Sequence, residues 1–216
     1  MKSIFDYSAA IFDLDGTLAD SMHIWEDICP EFLRNRGIEP PEGLKRTLGA
    51  MRMSESAPYI IREFKLDMSV QQVIGEWQQM ALHQYESTVL LKDGALELLK
   101  KLSAKGIKLA VATSCFPAAC EAVLRGHGVR DMFSVIAYSD DMKLGKAFPD
   151  IWIHCAEKLG AAPPDCVVVE DFPAALSGVR AAGMDFVAVY ENSFHEDWQD
   201  FSAKADIAVK SLRELL

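Results

Sequence analysis

From residue 94 onward, amphipathic segments alternate with short apolar runs that carry almost no charge. "GALELLKKLSAKG" (94–106) has apolar residues at three-and-four spacing and a glycine stop, so it reads as a helix. "IKLAVATS" (107–114) follows as a β-branched strand, "FPAACEAVLRGHG" (116–128) as a helix and "FSVIAYSDD" (133–141) as a strand. "DIWIHCAEKLG" (150–160) reads as a helix starting after Pro149, and "DCVVVED" (165–171) as a strand. "FPAALSGVRAAG" (172–183) reads as a helix with Pro173 in its first turn; "DFVAVYE" (185–191) and "ADIAVKS" (205–211) are further strands. "AAIF" (9–12) is a similar run, closed by a turn at Gly16. Continuously apolar strands alternating with helices specify an α/β fold: a parallel sheet buried on both faces.

One region breaks the alternation. From Met22 to about Leu91 the pattern is helical throughout, with loops at Pro40-Pro41 and at 65–69. The expected organisation is a core of residues 1–17 and 92–216 and a helical cap of residues 18–91. A block inserted after the first strand is expected above that strand's C-terminal end, where ligands bind in open α/β sheets, so it reads as a lid. Trp25, Met51, Arg52 and Met53 are its candidate substrate contacts.

Composition narrows the partners. The 216 residues are half hydrophobic, enough for one sizeable core, and the formal net charge is −10. That balance argues against nucleic acid or an anionic membrane as partner. The five cysteines form no Cys-x-x-Cys pair and suggest buried free thiols in a reducing compartment, hence a cytoplasmic protein. The first apolar run is short and broken by Asp6 and Asp13, unlike a secretory signal, and no stretch reaches the length of a membrane span. The five histidines show no convergent spacing. A monomer is the default expectation.

The chemistry collects at strand ends. Asp13 and Asp15 follow the first strand, Thr113 and Ser114 close the second, Lys146 lies in a loop before a helix, and Glu170-Asp171 close another strand. In a parallel sheet these ends share one edge. Close carboxylates repel each other and lose water, which costs free energy unless a cation, proton or donor compensates. Several carboxylates, a lysine and a hydroxyl suit a hard divalent cation such as Mg2+ with a phosphate. The plain alternative is a set of solvated acids and helix caps.

These residues resemble the haloacid dehalogenase superfamily, in the branch that includes β-phosphoglucomutase and many sugar-phosphate phosphatases. "DLDGTLADS" resembles the family's first motif, "VATS" its second, Lys146 its third and "VVVEDFPAALSGVRAAGM" its fourth. A calcium loop, the competing reading of Asp-x-Asp, would want further acids and a later glutamate that are absent here. The resemblance implies a Rossmann-like core with an inserted helical cap. It implies that Asp13 is the nucleophile, forming an aspartyl phosphate. Asp15 would be general acid and then base, its main-chain carbonyl a metal ligand, with Gly16 allowing the turn that aims it. Thr113 and the Ser114 backbone would hold phosphate, and Lys146 would offset charge on Asp13 and the phosphoryl group. Asp171 would bind magnesium, with Glu170 a ligand or the partner of one. Asp20 and Ser21 read as hinge or capping residues.

The second aspartate favours phosphate esters, because an alkoxide leaving group needs a proton and a halide does not. Dehalogenases and phosphonate-cleaving relatives lack it. The chain departs from the family in three places. Ala147 follows Lys146 where proline is common, implying looser support for the loop. Phe172 follows Glu-Asp where a small residue is common, implying a reshaped floor. Trp25 stands where the mutase has a cap histidine, and no residue set recreates the mutase's sugar recognition. The expected function is therefore a magnesium-dependent phosphatase acting on a small phosphorylated metabolite. A phosphohexomutase and a metabolite-binding regulatory protein of weak activity are the alternatives.

Overall fold

Six strands form a single sheet: β1 (Ala9–Phe12), β2 (Lys108–Thr113), β3 (Phe133–Tyr138), β4 (Cys166–Glu170), β5 (Asp185–Val189) and β6 (Ile207–Val209). Their order is β3-β2-β1-β4-β5-β6 and every pairing is parallel, in a computed structural model that describes residues 2–49, 51 and 53–216. Arg52 therefore lies outside the described residues. Chain order reverses at β1, with β2 on one side and β4 on the other; this is the switch point where open α/β sheets bind ligands. Every residue of β1 and β4 is buried, which explains their uniformly apolar character.

Helices α1 (Met22–Arg34), α2 (Leu44–Gly49), α3 (Met53–Glu63) and α4 (Val70–Ser87) fill the long interval between β1 and β2, and α5 (Ala95–Ala104) leads into β2. Later come α6 (Pro117–Gly126), α7 (Asp150–Leu159), α8 (Ala175–Ala181) and α9 (Trp198–Lys204). The chain divides into two compact units: Met1–Asp20 with Val89–Leu216, and Ser21–Thr88. The segments on either side of the division pair with each other within the first unit. Asp20 N–H donates to Leu90 O at 2.9 Å and Lys92 N–H to Leu18 O at 2.8 Å, flanking an antiparallel bridge between Ala19 and Leu91.

One sheet face packs Ala9, Ile11, Ala110, Val168 and Phe186 against Ile151, Trp152 and Cys155 of α7 and Val179 of α8. In the helical unit, Ser69 and Gln72 close both ends of a capping box on α4. Trp25 Nε1 donates to the Tyr85 hydroxyl at 2.9 Å, tying α1 to α4. Ser21 sits at the N-cap of α1 without a side-chain cap bond.

Two local expectations are corrected. Residues 139–141 form a 3-10 turn rather than the end of a strand, because the partner strand β2 stops at Thr113, opposite Tyr138. Pro173 lies in the turn ahead of α8, not in its first turn; the helix begins at Ala175, after the chain has bent around the Glu170 carboxylate.

Candidate active site

Asp13 is the first residue beyond β1, and its N–H continues the ladder by donating to Val169 O at 3.0 Å. Side chains alternate along a strand, so Asp13 shares the face of Ala9 and Ile11, and Glu170 shares that of Cys166 and Val168. This is the face on which α7 packs. The loop before α7 carries Lys146, whose Nζ donates to Asp13 Oδ1 and, at 2.9 Å, to Glu170 Oε1. Lys146 is thus buried between two carboxylates, although its loop position alone would suit a surface lysine.

The Lys146 loop is well anchored, which corrects the expectation of loose support behind Ala147. Trp152 Nε1 donates to Lys146 O at 3.0 Å and Ser177 Oγ to Ala147 O at 2.9 Å. Gly178 of α8 comes so close that a Cβ there would lie 2.4 Å from Lys146 O and 2.6 Å from Phe148 O. Only glycine allows this approach.

Glu170 and Asp171 do different things. Glu170 Oε2 accepts the N–H groups of Asp171 at 2.7 Å and Phe172 at 2.9 Å, so this side chain shapes the turn while its other oxygen meets Lys146. Asp171 Oδ1 accepts from the Thr17 hydroxyl at 2.8 Å. The Phe172 ring, half-exposed, lies against Phe194 with centroids 5.5 Å apart. Asp15 is partly buried, and Gly16 after it adopts φ +87°, a left-handed conformation that the turn requires. Thr113 is fully buried at the end of β2, its Oγ1 accepting from Cys115 N–H at 2.9 Å. Ser114 is exposed and accepts from the Ser139 hydroxyl at 2.8 Å.

Electrostatics set the demands of the cluster. Burial, reinforced by Glu170 and Asp15, pushes Asp13 up to about 7 despite the opposing pull of Lys146. Burial and the neighbouring Glu170 and Asp13 also hold Asp171 well above the ordinary carboxylate value. Burial alone would lower the Lys146 pKa, but Asp13 and Glu170 outweigh it and raise it. Three carboxylates face one ammonium, so the site is short of positive charge. Asp13, Glu170 and Asp171 each offer an oxygen within 4.8 Å of the others. An all-oxygen donor set this compact, with two members resisting ionisation, fits a hard divalent cation.

The structure therefore brings together Asp13, Lys146, Glu170 and Asp171, with Asp15, Gly16, Thr113 and Ser114 at the same sheet edge. Thr17 and Lys92 escape sequence reading. Thr17 sits within the first motif but meets its partner 154 positions away. Lys92 follows an apolar pair and looks like solvent-facing punctuation, yet it bonds to Gly16 O and to Glu191.

Comparison with known proteins agrees with this geometry. The chain is 32% identical to hexitol phosphatase A of Escherichia coli strain K12, over 83% of this chain and 81% of that protein. It is 30% identical to the bifunctional riboflavin kinase/FMN phosphatase of Arabidopsis thaliana over 84% of its own length, but spans only 48% of that longer protein. Among solved structures, CbbY from Rhodobacter sphaeroides in complex with phosphate superposes with a TM-score of 0.82 at 25% identity, covering 97% of this chain and 96% of that one. The family model described as haloacid dehalogenase-like hydrolase matches residues 7–183, and the chain belongs to that family.

Proposed function

We propose that the protein is a magnesium-dependent phosphatase that hydrolyses a small phosphomonoester of sugar or sugar-alcohol type through an aspartyl phosphate on Asp13. The observation that carries this reading is the buried cluster in which Lys146 bonds both Asp13 and Glu170 while Asp171 offers a carboxylate oxygen within 4.8 Å of theirs. The phosphatase relatives, among them hexitol phosphatase A, support the substrate class.

In this account an Asp13 carboxylate oxygen attacks phosphorus as the ester oxygen departs. Asp15 gives that oxygen its proton, so the alcohol leaves neutral. Asp15, now a carboxylate, takes a proton from the water that attacks the aspartyl phosphate, which releases inorganic phosphate and regenerates Asp13. Lys146 stabilises negative charge on Asp13 and the transferring group, and Thr113 with the Ser114 backbone holds phosphate oxygens. Asp13, Asp171 and the Asp15 carbonyl would hold magnesium, with Glu170 beside them. When bound, the ion supplies the positive charge that lets a phosphate approach three carboxylates. Substrate choice is assigned to the helical unit, where the chain departs most from the mutase pattern. The five cysteines, all buried and none in a disulfide, support a reducing compartment such as the cytoplasm.

The test is phosphate release from a panel of hexitol and hexose phosphates, with and without magnesium, with Asp13→Asn as control. Release that needs both magnesium and Asp13 is expected. No release above the control on any compound, or isomerised sugar phosphate in place of free phosphate, would contradict the reading.

A further inference from the structure

Lys92 makes contacts that its sequence context does not announce. Its Nζ donates to Gly16 O at 2.7 Å, to Glu191 Oε2 at 2.5 Å and, more weakly, to Tyr190 O at 3.4 Å. Both members of the ion pair are largely buried, with side-chain exposures of 20% for Lys92 and 10% for Glu191. Glu191 stands just beyond β5, and its other oxygen accepts Asn192 N–H at 2.8 Å. The carboxylate is therefore fixed by its own backbone and in turn fixes the ammonium.

The receiving end of this chain of contacts is the peptide that follows Asp15. Glycine at position 16 is needed for the turn, but it brings more backbone freedom than any other residue. Bonds within the turn and from outside it limit that freedom, beginning with Leu18 and Ala19 N–H, which donate to Leu14 O at 2.9 and 2.8 Å. Gly16 N–H donates to Ala19 O at 2.9 Å, Lys92 takes Gly16 O, and Thr17 is tied to Asp171. Of these, only the Lys92 bond holds the carbonyl of the glycine itself. A proton donor acts only within hydrogen-bond reach of the leaving oxygen, so a loose turn would cost protonation before it cost binding.

We propose that Lys92, held by Glu191, is a positioning residue for Asp15: it clamps the Gly16 carbonyl and so keeps the Asp15 carboxyl aimed at the leaving group. The inference rests on the phosphatase reading and adds to it a residue pair lying outside the family's motifs. It makes a distinctive claim. Loss of the clamp matters when the leaving group needs a proton and matters little when it does not.

The test compares kcat/KM, which reports the transfer to Asp13, on an alkyl phosphate and on p-nitrophenyl phosphate, whose leaving group is stable as an anion. Lys92→Met is expected to lower the alkyl value about tenfold, in line with the large rate costs of small misplacements. The p-nitrophenyl value is expected to fall less than about twofold, since little proton transfer is at stake there. Glu191→Gln keeps an acceptor for Lys92 and should show the same selectivity at smaller size; it carries the comparison if Lys92→Met does not fold. Equal losses on the two esters, or no loss on either, would overturn the clamp while leaving the phosphatase reading intact. A wild-type protein inactive on both esters would instead sink the phosphatase reading, and the clamp with it.

Discussion

Thr17 and Asp171 are joined by a 2.8 Å hydrogen bond between two side chains with almost no solvent exposure. The bond links the turn after β1 to the end of β4, and it orients the carboxylate assigned to the metal. Thr17→Val keeps the shape and removes the donor. It should leave Asp171 under-bonded and destabilise the metal-free protein by about 1–3 kcal/mol. The magnesium concentration for half-maximal activity should rise roughly 10–100-fold, the usual effect of losing a ligand's hydrogen-bond partner. A magnesium titration of activity together with a denaturant melt checks both.

Gly178→Ala should be far worse than an alanine in a helix normally is. The new Cβ would fall 2.4 Å from Lys146 O, and the atoms it meets are backbone, which cannot rotate away. The loop must shift, carrying the ammonium off its two carboxylates. Destabilisation of about 1–3 kcal/mol from overpacking is expected, together with loss of most activity. Ser177→Ala, one residue earlier and exposed, loses only the hydroxyl's contacts to Ala147 O and Ala174 O, and the melts of the two variants should differ clearly.

Removing the ammonium tests the charge argument. Lys146→Met leaves Asp13 and Glu170 buried with no cation between them. Activity should fall by about 100-fold or more, the scale seen when a fixed electrostatic partner of the reacting group is deleted. Without the Lys146 charge that lowers its pKa, Asp13 should hold its proton to higher pH, so the variant's stability deficit should be larger at pH 8 than at pH 5.

The metal-free wild type should show a milder form of that pH dependence. Unfolded, Asp13 loses its proton near the ordinary 3.8; folded, it does so at about 7. Between those values the folded state holds the extra proton, so its contribution to stability is complete below the window and is lost as pH rises through it. Asp171 is shifted in the same direction. Magnesium favours the ionised carboxylates, so the rise in melting temperature on adding it should be greater at pH 8 than at pH 5. An equal rise at both would place the ion elsewhere.

Legibility in the sequence followed the range of the interaction. Asp13 and Glu170-Asp171 could be read because each ends an uninterrupted apolar run, with Asp15 two residues on, and a parallel sheet gathers such ends at one edge. Lys146 could be read as a charge, but its burial could not, since Trp152 and Gly178 make that burial from later helices. Thr17 and Lys92 remained illegible because their partners lie 154 and 99 positions away. The errors were local. Residues 139–141 extended a strand whose partner had already stopped, and Pro173 suggested a helix start where the Glu170 carboxylate holds a turn.

The central claim is that Asp13 takes the phosphoryl group. The most direct measurement is to quench the enzyme in acid during turnover, reduce it with borohydride and locate the modified residue by mass spectrometry. The account predicts substrate-dependent reduction of residue 13 from aspartate to homoserine, absent without substrate. Full turnover with residue 13 unmodified, or modification at another carboxylate, would contradict it.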